Sequence, residues 1–394
     1  MPIVVGLDVC KLSVVAYVLS VRPSEPRQFY YATKFYTFEA NAKGISELLK
    51  LEPDVAVLEP TGVNYSKLWG THLARVGIEV RLVGHSQLRS FRHHTLELPD
   101  KDDRADALAL ACYYFDYKDN PRRFVQTPEP DVVKIRELVL RLAHLNRCQS
   151  PIVNRMRQDL AWQFPEIAKI TLNKSGDRLS LVLRYLAGVA ESNKYDELLR
   201  SSVGLGLDFT VINHAQRLCH LHREEIIIEQ LLSRLTENIK FEPYQQAFDR
   251  FGFGQRVQAI LLSQIYPIEN YLSDEGKPIV IFRRGKKENN ITKRYLSLRR
   301  FQKALGVAPT ENSSGDSQSK KIVGGSDLCR IALWQWIFTR LEVKRNRPKS
   351  EVGQKLGLYL DVEKATGKPI RLVRMRVAAK TARLLFKELV REQS

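Results

Sequence analysis

Four short apolar runs rich in β-branched residues punctuate the first 130 residues: 3–9 (IVVGLDV), 13–19 (SVVAYVL), 54–62 (DVAVLEPTG) and 78–84 (IEVRLVG). Each has the length and composition of a buried strand. Between the last two, residues 66–76 place Leu68, Leu73 and Val76 at helical spacing. Strands alternating with helical segments predict an α/β domain on a largely parallel sheet. It spans residues 1–130 and ends in the proline-rich QTPEPD segment. Asp8 and Lys11 interrupt the apolar N-terminal run, which lacks a basic lead-in. It therefore reads as a strand, not a signal peptide or membrane span.

A helical region follows over 131–243. Ile135, Leu138, Leu142, Leu145, Ile152 and Met156 keep 3-4 spacing, with a break expected at Pro151. Leu218, Leu221, Ile228, Leu232, Leu235 and Ile239 repeat the pattern, with Glu225 in one seam position. The two stretches read as arms of an antiparallel helical hairpin or coiled coil, or as part of a plain bundle. A third, mostly α-helical domain covers 244–394. Near its start, RFGFGQRVQAILLSQI (250–265) places a Gly-x-Gly turn before an apolar-periodic helix, as in a helix-hairpin-helix. Free backbone N–H groups at such a helix start can hold a phosphate. The chain ends in a basic amphipathic helix over 367–390.

Charge separates these regions. The chain holds 62 Lys/Arg and 44 Asp/Glu, a net +18. Residues 1–130 hold 16 of each sign, whereas 274–394 hold 28 Lys/Arg against 12 Asp/Glu, a balance of +16. That asymmetry marks a polyanion-binding module beside a different one. The candidate nucleic-acid contacts are Arg283, Arg284, Lys286, Lys287, Lys293, Arg294, Arg299, Arg300, Lys320 and Lys321. The five cysteines are scattered without a C-x-x-C pair, which fits a reducing cytoplasmic setting and neither a zinc site nor a disulfide framework.

Against this basic background, LELPDKDDRADALALA (96–111) packs Asp100, Asp102, Asp103 and Asp106 into the start of a helix. Asp8 ends the first strand and Glu59 ends another. Asp103 and Asp106 are three apart and share a helix face. Three elements can thus converge the carboxylates of Asp8, Glu59, Asp103 and Asp106. That donor set suits Mg²⁺, which takes hard oxygen ligands and bridges to phosphate oxygens. Asp100 and Asp102 fit helix caps or dipole partners, although Asp102 is also i,i+4 to Asp106. GLDVCK also resembles the first phosphate loop of actin-like ATPases, but no second such loop follows.

GLDVCK, LEPTG, RLVGHSQLRSFR and KDDRADALALA, in that order, resemble the N-terminal RuvC-like domain, of RNase H fold, of transposases of the insertion-sequence 110 family, which the Piv-type DNA invertases share. In that family the last motif reads Lys-Thr-Asp-x-x-Asp-Ala. Lys101, Asp103, Asp106 and Ala107 align with it, which selects Asp103 over Asp102. Asp102 stands where Thr is usual, and Cys10 where Ser is common. The family's second signature, Gly-x-x-Pro before a Ser-Gly pair and a glycine- and basic-rich turn, matches LGVAPTENSSGDSQSKKIVGG (305–325) with Gly306, Pro309, Ser314 and Gly315 in register. Residues 274–300 form a longer and more basic insertion than the family pattern has. Read without the family, NSSG is a flexible loop.

The resemblance implies a site-specific recombinase or transposase of an insertion sequence. Asp8, Glu59, Asp103 and Asp106 would bind Mg²⁺. Ser314, or its neighbour Ser313, would attack a DNA phosphodiester to give a phosphoserine link. No histidine is an obvious base for it, and a metal-bound or carboxylate group, Lys320 or Lys321 could serve. The resemblance further implies donor and target DNA as partners, a structured guide (bridge) RNA, a homodimer or homotetramer on DNA, and a bacterial cytoplasmic, nucleoid-associated location. The alternatives are a Piv-like invertase without guide RNA, a RuvC-like metal-dependent junction nuclease, and a nucleic-acid-binding protein with a dead site.

Overall fold

The computed structural model describes all residues except 61–63, 100–101, 126–127, 171, 173, 175, 285–290, 315–316, 323 and 393–394, and only the backbone of 310–314 and 317–322. The chain divides into two compact units, Met1–Pro128 and Glu129–Ser394.

In the first unit, strands β1 (Val4–Val9) and β2 (Ser13–Leu19) are joined by three residues. A parallel crossover needs a far longer connection, so they pair antiparallel. Helix α1 (Pro26–Ala32) leads to β3 (Tyr36–Glu39), antiparallel to β2. Helix α2 (Ala42–Leu49) crosses to β4 (Val55–Leu58), parallel to β1, and α3 (Tyr65–Arg75) crosses to β5 (Glu79–Leu82), parallel to β4. The strand order is β3-β2-β1-β4-β5. The sheet is thus mixed, not largely parallel as its alternating pattern predicts, because the short β1–β2 turn commits one half to antiparallel pairing. β3 escapes the sequence reading because only Phe38 of its four residues is buried.

Helices α4 (His85–His94) and α5 (Asp103–Tyr117) complete the unit. Every residue of β1 is buried. Its alternation sends Val5, Leu7 and Val9 into a core with Leu48, Trp69 and Leu73 of α2 and α3. Val4 joins a core formed with α4 and α5 on the other face, the face that Gly6 and Asp8 share with it by register.

The second unit opens with α6 (Pro130–Gln163), α7 (Leu181–Leu186), α8 (Asn193–Arg200) and α9 (Phe209–Thr236). α6 runs unbroken through Pro151, contrary to the expected break. Pro151 is exposed, so the carbonyl its missing N–H leaves free, that of Arg147, can be hydrated. α9 returns antiparallel: Ile135 to Leu145 share a core with Ile228 and Leu232, and Met156 and Leu160 share another with Val211, Ala215 and Leu218. Glu225 in the seam is buried, with Arg256 3.5 Å away.

Helices α10 (Glu242–Arg250) and α11 (Gln255–Ile265) flank a turn in which Gly252 takes φ +58°. Next come a hairpin of β6 (Val280–Arg284) and β7 (Ile291–Tyr295), α12 (Leu296–Ala304), and a hairpin of β8 (Pro309–Ser314) and β9 (Ser317–Ile322). Helices α13 (Asp327–Trp336), α14 (Glu351–Ala365) and α15 (Ile370–Glu392) close the unit. One apolar core joins α6 and α9 to α11, α13, α14 and α15, so residues 131–243 and 244–394 lie together in this unit. No helix among the described residues is long and apolar enough to cross a membrane.

Candidate metal centre

The site begins with a glycine. A Cβ on Gly6 would lie 2.0 Å from the Ala107 carbonyl oxygen and 2.5 Å from the Ala111 backbone nitrogen. Helix α5 therefore lies backbone-on-backbone against β1, an approach open only to glycine on the strand and small residues on the helix. Ala105, Ala107, Ala109 and Ala111 supply the helix side. The contact fixes the rest by register. Two residues beyond Gly6, on the same strand face, is Asp8. One helical turn before Ala107 is Asp103, with Asp106 three residues further on.

The structure brings Asp8, Cys10 and Asp103 together, each with a donor atom within 4.8 Å of the others. The Cys10 thiol donates to Asp103 Oδ2 at 3.5 Å. Glu59 follows β4, whose Leu58 pairs with Leu7 of β1, so it stands at the same edge as Asp8. Its carboxylate bonds to His85 Nδ1 at the start of α4. Asp106 receives Arg92 Nη1 at 2.5 Å, and that arginine is 6% exposed. Asp102 caps α5, accepting from the Arg104 backbone N–H at 3.0 Å, and accepts also from the Tyr30 hydroxyl. Asp100 lies outside the described residues.

Electrostatics binds these groups into one cluster. Burial, then the charges of Asp106, Asp103 and Glu59, push the Asp8 carboxyl up to about 7, with Arg92 opposing. Burial also raises Glu59 against the pull of His85, and Asp106 against that of Arg92. Burial, then Asp103, pushes the Cys10 thiol up to about 11, leaving it a neutral donor at physiological pH. At the 9%-exposed Asp8 the charges of three more carboxylates outweigh that of Arg92. The neighbours of Asp8 in the three-residue group are the Asp103 carboxylate and the neutral Cys10 thiol. That acidic group could hold a metal ion, whose charge would offset the carboxylates.

His85 and Arg92, which bond to two of the carboxylates, were missed in the sequence as site residues. The i,i+7 spacing puts both side chains on one side of α4, but they are polar and add nothing to the apolar period by which a helix face is read.

The other candidates lie in the second unit. Arg283 and Arg284 sit on β6, Lys293 and Arg294 on β7, and Arg299 and Arg300 on α12, all exposed. A cleft of about 870 Å³ is lined by Arg283, Lys293, Arg294, Arg299, Lys303 and Arg383 among others. Lys286 and Lys287 lie outside the described residues. Lys320 and Lys321 fall on β9, and Ser314 is the last residue of β8, its backbone opposite Ser317. NSSG therefore does not begin as a loop: Asn312, Ser313 and Ser314 belong to a strand, and Gly315 is not described.

No protein-family model matches the chain, and no curated protein matches it. Among solved structures it is similar to Thermus thermophilus RuvC, at 15% identity over 31% of this chain and 98% of that one, with a TM-score of 0.23. It is similar also to T. thermophilus RuvC in complex with a Holliday junction substrate, at 16% identity over 30% and 95%, again with a TM-score of 0.23. Both likenesses are too low to bear on the chemistry, which rests on the carboxylates themselves.

Proposed function

We propose that the chain is a metal-dependent DNA strand-cleaving and strand-joining enzyme, a recombinase or transposase whose first unit is a RuvC-like domain of RNase H fold. The observation that carries this reading is the buried Asp8 beside Asp103, with Glu59 and Asp106 in the same electrostatic cluster. The β3-β2-β1-β4-β5 order, with carboxylates near the end of β1, just after β4 and on the last helix, supports the fold assignment.

Asp8, Glu59, Asp103 and Asp106 would hold Mg²⁺, which when bound acts as a Lewis acid toward phosphate oxygens. Arg92 holds Asp106 and His85 holds Glu59 in orientation, as outer partners of metal ligands do. The Lys/Arg of β6, β7 and α12 would grip nucleic-acid backbone. In the recombinase reading, the Ser314 hydroxyl attacks a phosphodiester. A serine–phosphate bond forms as the phosphorus–oxygen bond to the leaving strand breaks, and the serine proton passes to a base. The link conserves the energy of the cut bond for rejoining. Guide RNA, DNA partners and a homodimer or homotetramer belong to the same reading.

Purified full-length protein with DNA carrying its element's ends, with and without the flanking non-coding RNA, tests this. Strand exchange that needs Mg²⁺, is lost in Asp103→Asn, and leaves a protein–DNA adduct lost in Ser314→Ala is the expected result. Metal-dependent cutting that survives Ser314→Ala without an adduct would favour the second reading, a RuvC-like junction nuclease. That reading draws on the carboxylates of Asp8, Glu59, Asp103 and Asp106, all of which belong to the unit Met1–Pro128.

A further inference from the structure

Helix α4 has two faces. Leu88, Phe91 and Arg92 are buried, and Arg92 holds Asp106. On the side turned away from Leu88 and Phe91, two adjacent rows at i,i+4 spacing, His85–Arg89–His93 and Ser86–Ser90–His94, are exposed and, among the described residues, line a cleft of about 540 Å³. Its described lining is three imidazoles, a guanidinium and two hydroxyls. At one end, His85 bonds to Glu59 of the carboxylate cluster. Side chains four apart rise about 6 Å along the axis, a step comparable to that between successive phosphates of an extended strand.

We infer that the His85–Arg89–His93 face of α4 is a track for the phosphodiester backbone of the strand entering the carboxylate cluster, with Arg89 pairing the phosphate beside the scissile one. Arg89 is the fixed cation of the row. Its planar fork suits two phosphate oxygens, and Ser86 and Ser90 can donate alongside it. Because the cleft begins where Glu59 is held, a strand lying in it arrives at Asp8 and Asp103 already oriented. Arg89 is thus a positioning residue, and the inference rests on the metal-dependent cleavage proposed above.

The test uses the full-length protein and DNA oligonucleotides with single methylphosphonates, neutral at one phosphate, stepped away from the scissile bond. Arg89→Gln should raise KM about tenfold with kcat within about twofold, as expected for one lost charge-assisted contact. Arg89→Lys should recover part of the loss. One methylphosphonate near the cut should weaken the wild type and leave Arg89→Gln unaffected. Equal sensitivity of both proteins at every position, or an unchanged KM in Arg89→Gln, would overturn the inference. If the wild type cuts nothing with Mg²⁺, the proposed function fails. The binding arm still decides the track: Arg89→Gln should lower the log–log salt slope by about 0.7 for a single strand, and an unchanged slope refutes it.

Discussion

β1 and β6 are strands of six and five residues in opposite surroundings. Every residue of β1 is buried, and so is every residue of β4 beside it. Every residue of β6 is exposed, as is every residue of its partner β7. The acidic site is therefore made by packing: its carboxylates are placed by Gly6 against α5 and by the β1–β4 register. The basic surface is made by composition: its cations stand on a two-stranded ribbon and a helix face and owe little to their neighbours. The first kind of site should fail through geometry, the second through charge alone.

Asp103→Asn should show the largest effect. Metal-dependent cleavage should drop on the order of a hundredfold or more. Nucleic-acid binding should stay, and the metal-free fold should become more stable, because one of the charges facing Asp8 is gone. Cleavage and thermal melts in chelator would check both halves. A variant that melts lower and still cleaves would break the comparison.

Gly6→Val tests the packing directly. A side chain there meets α5 backbone, which cannot swing aside, so about 3 kcal/mol or more of stability should be lost. Urea unfolding measures it. Ile281→Val on the exposed ribbon should change stability by less than about 0.5 kcal/mol. Equal losses at the two positions would erase the distinction.

Neutralising Arg283, Arg284, Lys293 and Arg294 to Gln should lower the log–log salt slope for duplex DNA by up to about 3.6, with the melting transition unmoved. A flat slope in the wild type would remove the charge account of this surface.

The same comparison explains what the sequence disclosed. The runs 3–9 and 54–62 were legible because burial on both faces of β1 and β4 demands unbroken apolar residues, and 13–19 and 78–84 because β2 and β5 keep β-branched residues though they are less buried. Asp8, Glu59, Asp103 and Asp106 stood out as carboxylates at element ends. Four-residue β3 with one buried side chain carries no such pattern, and the mixed pairing of the sheet follows from a three-residue turn rather than from strand composition. The seam of Leu142 and Leu232 was legible as periodicity, but not its partner: both are buried in the chain's own core. His85 and Arg92 were illegible because their roles arise only when α4 docks beside β4 and α5.

Acidity gives a finer test. Asp8 titrates at about 7 in the fold and near 3.8 when unfolded. Between those values the folded state holds the extra proton, so this group's contribution to stability falls as pH rises from about 4 to about 7. In chelator, Asp8→Asn should flatten that decline. With Mg²⁺, affinity should rise over the same range as the carboxyl ionises. Chemical denaturation across pH measures both. A smaller effect is expected of Asp102→Ala, which removes the α5 cap and costs about 1 kcal/mol while sparing metal binding.

The most direct measurement is divalent-cation binding itself. Mn²⁺ added to the full-length protein, followed by electron paramagnetic resonance and calorimetry, should bind in the wild type and in Ser314→Ala, and should be lost or strongly weakened in Asp8→Asn and Asp103→Asn. Binding that is absent from the wild type, or that persists unchanged in both carboxylate variants, would contradict the metal centre on which the account stands.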